Sequence, residues 1–253
     1  KKKKLDPKIS IIMVIHNEES TIIKSIKSVL NQNFDKFELL ILDNDSTDKT
    51  KFFLRIISNE DSRIKIFYSK KNLGLTKGLN FLLKKTKSNV VARIDADDFW
   101  NINKLRLQYK FFKGINTNIV GTNAYYINKY KINSGSNLPL LDKNIRKEMI
   151  FSNPFIHSSI MFNKKYLKSY DPRYSKCQDY DAWLKLSLNR RLRFKNIHRQ
   201  LTFYSLNKPL SFNSVLNDVK IRLKHLKHLG LFQIIISSLF IFYSVFILFY
   251  KLI

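Results

Sequence analysis

Four short apolar runs, each followed by a segment with helical spacing, constrain this chain more than any other feature. "ISIIMVI" (9–15), "FELLIL" (37–42), "IKIFY" (64–68) and "NVVARI" (89–94) are rich in β-branched residues and nearly continuous. Such a run is a strand buried on both faces. After the first, "TIIKSIKSVLNQ" places Ile22, Ile23, Ile26, Val29 and Leu30 on one helical face, with Ser20 or Thr21 available to cap its start. "DNDSTDKT" offers several cap residues ahead of a helix over 48–57, and "LNFLLKK" predicts a further helix after the loop "KKNLGLTKG". Strand, helix, strand, helix implies right-handed crossovers, hence an α/β fold with a mostly parallel sheet flanked by helices.

In such a sheet ligands bind beyond the carboxyl ends of the strands. His16 and Asn17 follow the first run, and Asp43, Asn44 and Asp45 follow the second. Asn72 and Gly74 lie in the loop after the third, and Asp95, Asp97 and Asp98 follow the fourth. Four loops converging on one rim are not what a chance acidic turn predicts, least of all in a chain with 46 Lys and Arg against 19 Asp and Glu. Clustered carboxylates repel one another unless a cation sits among them, and oxygen ligands suit hard ions such as Mg²⁺ and Mn²⁺. An Asp-x-Asp at a strand end can hold such an ion against the phosphates of a nucleotide.

With 253 residues the chain is one large domain, or one domain with an appendage, and its 44% hydrophobic content is that of a globular protein. A formal net charge of +27 suggests a polyanionic partner, yet the basic residues are spread along the chain rather than gathered in one block. The lone Cys177 excludes an intrachain disulfide and a cysteine-based metal site, and points to a reducing compartment. "KKKKLDPKIS" is basic but has no apolar stretch after it, so no signal peptide is read there.

Beyond residue 100 the pattern weakens. "NINKLRLQYKFF" reads as a helix, "IVGTNAYYI" as a strand, "KINSGSNLPLLDKN" as a loop, "IRKEMIFSN" as a helix and "SSIMFN" as a strand. "DYDAWLKLSL" sets Tyr180, Trp183, Leu184 and Leu188 on one helical face. "LGLFQIIISSLFIFYSVFILFY" (229–250) runs for 22 residues without a charge, enough to cross a bilayer. Lys220, Arg222, Lys224, His225, Lys227 and His228 precede it, a basic flank suited to the cytoplasmic side of an anionic leaflet.

Taken in order, these stretches resemble family 2 glycosyltransferases of the GT-A fold. "PKISIIMVIHNEESTIIKSIKSVLNQ" is similar to the family's opening strand and helix, and "FELLILDNDSTDKT" to its second strand and acidic loop. "NLGLTKGLN" resembles its Asn-x-Gly loop, "ARIDADD" its Asp-x-Asp region and "KLRLQ" the helix that follows. "NPFIHSSIMF" resembles a segment of the bacterial polysaccharide branch, and "QDYDAWLKL" the family's Glu-Asp helix start. The likeness covers residues 7–205. It implies a Rossmann-like GT-A catalytic domain over 1–210; the basic flank and the charge-free run, which the likeness does not reach, read as a basic helix and an apolar, membrane-associated tail over 211–253. It implies that Val14, His16, Asp43, Asn44 and Asn72 hold the nucleotide sugar, that Asp95 contacts the ribose or the metal, and that Asp97 is the main ligand of Mn²⁺ or Mg²⁺. Asp179 would be the general base, with Asp181 the competing carboxylate. The implied reaction is inverting transfer of a sugar from a nucleotide diphosphate sugar to a hydroxyl of a surface glycan or lipid-linked glycan. It would take place at the cytoplasmic face of the bacterial inner membrane.

Three positions depart from the family pattern. Asn44 stands where a second Asp is common, Gln178 where a Glu precedes the base, and Asn207 where many relatives carry a metal-ligating His. A degenerate, non-catalytic nucleotide-sugar binder is therefore the alternative. A nucleotidyltransferase needs a Gly-rich basic triphosphate loop near its start, and "VIHNEES" has none. A nucleic-acid-binding module would gather basic and aromatic residues on one surface; it is the weaker rival, and no nucleic-acid partner is expected. His157 reads as a satisfied core histidine and Cys177 as inert.

Overall fold

Ile9–Ile15 (β1) and Phe37–Asp43 (β2) run side by side in parallel, with Ile9 opposite Phe37 and Ile15 opposite Asp43. The structure is a computed structural model and describes residues 6–114, 117–128, 131–206 and 211–225. Because side chains alternate across a strand, an apolar run must be covered on both faces. Ile9, Ile11, Met13 and Ile15 pack with Leu39 and Ile41 against helices Ile22–Leu30 (α1) and Thr50–Glu60 (α2). Ile12, Leu40 and Leu42 face the other way, onto Leu79, Leu82 and Leu83 of helix Leu75–Lys85 (α3). Thr21 is the N-cap of α1, but its hydroxyl donates to Glu18 rather than serving the helix.

Strand Ile64–Tyr68 (β3) adds in parallel to β2, and Val90–Arg93 (β4) in parallel to β1. The remaining elements are Phe99–Trp100 (β5), Lys104–Gly114 (α4), Ile119–Asn128 (β6), Lys131–Gly135 (β7), Asp142–Glu148 (α5), Met161–Asn163 (β8), Gln178–Ser187 (α6), Phe194–Ser205 (β9) and Phe212–His225 (α7). The sheet order is β3-β2-β1-β4-β8-β6-β9-β5, with β7 pairing β6 off this path. The long ladders are parallel; β8 runs antiparallel to both β4 and β6 and joins the two halves.

The first half matches the expected elements closely, with one shift. Helix α3 begins at Leu75 rather than 79, because Gly74 at φ 76° turns the chain directly into it. Gly78 then lets α3 lie on the sheet: a Cβ there would sit 2.9 Å from Val14 Cγ1. The second half departs more. The segment read as a loop over 131–144 holds β7, whose five residues are all exposed. Helix α5 starts at Asp142 and stops at Glu148, so 149–153 are not helical. Of "SSIMFN" only Met161–Asn163 is strand, since His157–Ser159 forms a 3-10 turn. The twelve-residue β9 has no counterpart among the expected elements.

Helix α7 docks against α6 through buried Ile221, while Arg222 donates to the carbonyls of Ile150 and Phe151, each at 2.9 Å. No helix among the described residues is long and apolar enough to cross a membrane. The apolar stretch 229–250 and Asn207 lie outside the described residues.

The β6–β9 ladder depends on one glycine. A Cβ at Gly121 would lie 2.1 Å from Asn196 Oδ1 and 2.8 Å from Phe155 Cδ1. Asn196 cannot retreat cheaply, because its Nδ2 donates to the Pro139 carbonyl at 2.8 Å and the Pro154 carbonyl at 2.9 Å. Gly121→Ala is expected to lower stability by about 2 kcal/mol. A lower urea midpoint at unchanged m-value is the measurement that checks it.

Candidate active site

The four loop ends meet at one rim and are stitched together by their own polar groups. After β1, His16 Nδ1 lies 3.1 Å from the Asn44 carbonyl oxygen, which requires the imidazole proton on Nδ1. The Asn17 N–H donates to Ser46 Oγ at 3.0 Å, and Asn17 Oδ1 accepts from the Thr47 N–H at 2.8 Å. Asn17 and Asp45 both adopt left-handed backbone, a conformation that Asn and Asp tolerate best among non-glycine residues. After β2, Asp43 is fully buried; its Oδ1 accepts from the Ser46 N–H at 3.1 Å, while its Oδ2 has no partner among the described residues. Asn44 ties in the loop after β3: its Nδ2 donates to Asn72 Oδ1 and its Oδ1 accepts from the Leu73 N–H, both at 2.8 Å. Asn72 Oδ1 also accepts from the Gly74 N–H. Val14 packs beneath this rim against α3. So His16 presents an exposed ring, Asp43 an unpartnered oxygen, and Asn44 and Asn72 act first as the clasp that shapes the loops.

After β4 the three acidic residues gather. Ligand oxygens of Asp95, Asp97 and Asp98 all lie within 4.8 Å of one another. The loop is pinned: the Asp95 N–H donates to Ser158 Oγ, the Asp95 carbonyl accepts from Ser25 Oγ, and Asp98 Oδ1 accepts from the Ser205 N–H at 2.8 Å. Asp98 is buried. Burial, reinforced by the charges of Asp95 and Asp97, pushes its pKa well above the usual carboxylate range. Three crowded oxygen donors with such mutual repulsion fit a hard divalent cation.

Arg93, the last residue of β4, was not among the expected site residues. It is 2% exposed and forms an ion pair with Asp95. Its charge also acts on Asp98 and Asp179. A single Arg closing the apolar run just before "IDADD" is the sequence signal that could have found it.

Asp179 sits in the first turn of α6, 8% exposed, and its Oδ2 accepts from Asn153 Nδ2 at 2.6 Å. Burial pushes its pKa up, against the Asn153 hydrogen bond and the Arg93 charge. Asp181, two residues on, points elsewhere. It accepts from Lys224 Nζ at 2.7 Å and pairs with His225 Nε2 at 3.0 Å on α7. Burial works against its ionisation, but the bonds from His225 and Lys224 win and hold its pKa below the usual value. Of the two carboxylates, Asp179 is the one within the field of Arg93, which separates it from Asp181 as a candidate base. His157 hydrogen-bonds the Tyr170 hydroxyl at 3.0 Å and packs edge-on against Tyr170 and Trp183; burial and Arg93 keep it neutral. The Cys177 thiol, pushed up to about 12 by burial and Asp179, donates to the Ser214 carbonyl. Both residues behave as the sequence suggests.

The sequence model described as "Glycosyl transferase family 2" matches residues 10–172. Among curated relatives, glycosyltransferase EpsE of Bacillus subtilis is 31% identical over 186 residues, covering 71% of this chain and 66% of that protein. The Escherichia coli UDP-Glc:alpha-D-GlcNAc-diphosphoundecaprenol beta-1,3-glucosyltransferase WfgD is 29% identical over 184 residues, covering 70% and 69%. The O-antigen biosynthesis glycosyltransferase WbnJ, also of Escherichia coli, is 31% identical over 219 residues, covering 82% and 83%. This chain thus spans about two thirds of the length of the first two. Among solved structures, Staphylococcus aureus TarS 1-349 in complex with UDP-GlcNAc superposes with a TM-score of 0.72 at 17% identity, covering 92% of this chain and 70% of that one. Mannosyltransferase PcManGT from Pyrobaculum calidifontis, in complex with GDP-Man and Mn²⁺, gives 0.63 at 16% identity, covering 89% and 66%. At such identity the likeness is one of fold, and it is the GT-A fold expected from the sequence.

The raised pKa of Asp98 makes a stability prediction. A carboxyl with a higher pKa in the folded state binds its proton more tightly there than in the unfolded chain. Its ionisation therefore costs stability, and the cost grows as pH rises from about 3.9, the unfolded value, through the folded one. Asn at this position keeps an oxygen for the Ser205 N–H and carries no charge. Metal-free Asp98→Asn is expected to melt higher than the parent at neutral pH, with the gap closing as pH falls toward about 4. Thermal melts in chelator across that range test it.

Proposed function

The chain belongs to glycosyl transferase family 2, and from that premise we propose that it is an inverting, divalent-cation-dependent glycosyltransferase. It moves a sugar from a nucleotide diphosphate sugar to a hydroxyl of a surface glycan or lipid-linked glycan. The observation that carries this reading is that one buried guanidinium, Arg93, links the acidic loop at the end of β4 to Asp179 on α6. Donor-side carboxylates and a candidate base thus lie within reach of one buried cation.

Asp97, with Asp95 and Asp98 beside it, would hold Mn²⁺ or Mg²⁺. That cation supplies charge neutralisation for the departing diphosphate, so no protonating acid is required. His16, whose Nδ1 is committed to the Asn44 carbonyl, offers its ring face to the nucleotide, and Asp43 Oδ2 offers an acceptor to an N–H donor. Asp179 takes the proton from the acceptor hydroxyl. The acceptor oxygen forms a bond to the anomeric carbon as the bond from that carbon to the diphosphate oxygen breaks, and the nucleotide diphosphate leaves. A single displacement of this kind inverts the anomeric centre.

Several names support the donor and acceptor classes. TarS was solved with UDP-GlcNAc and PcManGT with GDP-Man and Mn²⁺, WfgD is named for a diphosphoundecaprenol acceptor, and WbnJ for O-antigen biosynthesis. Attachment to the cytoplasmic face of the bacterial inner membrane rests on the charge-free stretch 229–250 and the basic residues before it.

Detergent-solubilised protein incubated with a panel of nucleotide sugars, an acceptor-bearing membrane extract and Mn²⁺ should release nucleotide diphosphate from one donor. Asp97→Asn and Asp179→Asn should each lose about 10²-fold or more of that release. Asp179→Asn should keep donor affinity. Donor binding without turnover in the parent protein would instead favour the degenerate binder.

The pH profile tests the base itself. Activity needs ionised Asp179, so it rises with pH through a pKa that burial has raised. The Asn153 hydrogen bond favours the ionised form. Asn153→Ala should therefore move the acid limb of kcat/KM to higher pH, and a limb that stays in place would remove Asp179 from that role.

A further inference from the structure

A cavity of about 640 Å³ opens beside α6, lined by Asp181 rather than by Asp179. Its walls are the segment 165–173, α6 and the end of α7. Leu167, Ala182, Leu186 and Tyr170 give it an apolar interior. Two carboxylates reach it, and both are neutralised from within. Asp181 is held by Lys224 and His225, and Asp171 by Arg173 at 2.6 Å and Lys224 at 3.3 Å. Against those two carboxylates the lining sets five cationic side chains, of which Lys165, Lys168 and Lys185 are exposed at the mouth. The lining is therefore electropositive at its entrance and apolar behind it.

We propose that this cavity is a second binding site, for the phosphate headgroup of an anionic membrane lipid. Lys165, Lys168 and Lys185 hold the phosphate, and Leu167, Ala182 and Leu186 receive the first part of the lipid chain. The volume is that of a small-molecule site, larger than a bare phosphate fills. The mouth also exposes apolar side chains that a soluble anion has no use for, Leu188 at 46% and Tyr166 at 36%. Exposed apolar residues interleaved with lysines mark a surface that lies against anionic lipid headgroups. The cavity wall formed by α7 leads, within a few residues, into the charge-free stretch 229–250. The site rests on the membrane attachment proposed above, but the two are separable by experiment.

Full-length protein is titrated with vesicles of phosphatidylcholine, with and without phosphatidic acid, and separately with inorganic phosphate. Binding to phosphatidylcholine alone reads the apolar stretch, and the gain with phosphatidic acid reads the cavity. The parent should prefer phosphatidic acid vesicles. Lys168→Glu with Lys185→Glu should reduce that affinity about tenfold or more. Ser169→Trp, at an exposed lining position, fills the mouth without changing charge and should abolish the preference as well. Lys110→Glu with Lys113→Glu, an equal charge change on α4, should leave the preference in place. Equal loss in both charge-reversed pairs, or an unaffected Ser169→Trp that melts like the parent, would overturn the cavity. Inorganic phosphate binding that is lost in the same variants, with no preference for phosphatidic acid, would overturn the lipid. A retained preference without binding to neutral vesicles would leave the cavity standing and remove the apolar attachment.

Discussion

Taking a guanidinium out of water inside a β-sheet costs several kcal/mol unless anions surround it. Arg93 is such a group, and much of the candidate site is arranged around its charge. Asp95 pairs with it directly, and Asp98 and Asp179 lie in its field. The compensation also runs the other way, because Asp95, Asp98 and Asp179 all draw on that one buried cation. Burial raises the pKa values of Asp98 and Asp179 in spite of that cation, and at Asp98 the charges of Asp95 and Asp97 add to the effect. A divalent cation at the acidic loop would offset the repulsion among its carboxylates and favour the ionised form of Asp98. The metal-free protein is thus a charged cluster that binding would relax.

The packing around this cluster explains why distant stretches of sequence matter to it. "KLRLQ" contributes a clamp rather than chemistry. Lys104 is buried, lies 3.8 Å over the Trp100 ring and donates to Gln108 Oε1 at 2.7 Å. Gln108 Nε2 in turn donates to the carbonyls of Val120 and Ser159, each at 2.8 Å. Ser159 adjoins Ser158, whose hydroxyl accepts from the Asp95 N–H and whose carbonyl accepts from Trp100 Nε1. Four elements are thereby locked behind the acidic loop before any ligand arrives, which is what precise placement of a metal ligand demands.

What could be read from the sequence follows from how each element is buried. Strands β1, β2 and β4 are buried on both faces for most of their length and the half-buried β3 keeps at least three apolar residues of five, so all four appear as nearly continuous apolar runs, and the loops at their ends could be assigned to one rim. Strand β7 is fully exposed, and β9 mixes buried Phe194 and Leu201 with exposed His198 and Arg199, so neither leaves a clean period. Arg93 was hidden for the opposite reason. It sits inside an apolar run and reads as an interruption of the strand, not as its functional end. Asp179 and Asp181 could not be separated by spacing alone. Two residues on a helix are about 200° apart, so one must face away from the site, and only the packing of α7 against Asp181 says which.

The departures from the family pattern acquire a physical sense here. Asn72 Oδ1 already accepts from the Gly74 N–H and takes a second bond from Asn44 Nδ2. An ionised Asp at 44 has no proton to give, so it would set a carboxylate against that carbonyl oxygen or force the Asn72 amide to flip and release Gly74. Asn44 and Asn72 are a matched pair, and the change at 44 follows from the loop it holds rather than from loss of a site. Gln178 is buried at 3% exposure beside Asp179. A Glu there would add a negative charge next to a carboxyl whose pKa burial already raises, and would push Asp179 further toward its protonated form. Gln spares the candidate base that load. Both residues therefore leave Asp179 as a buried carboxylate whose ionised form Asn153 and Arg93 favour.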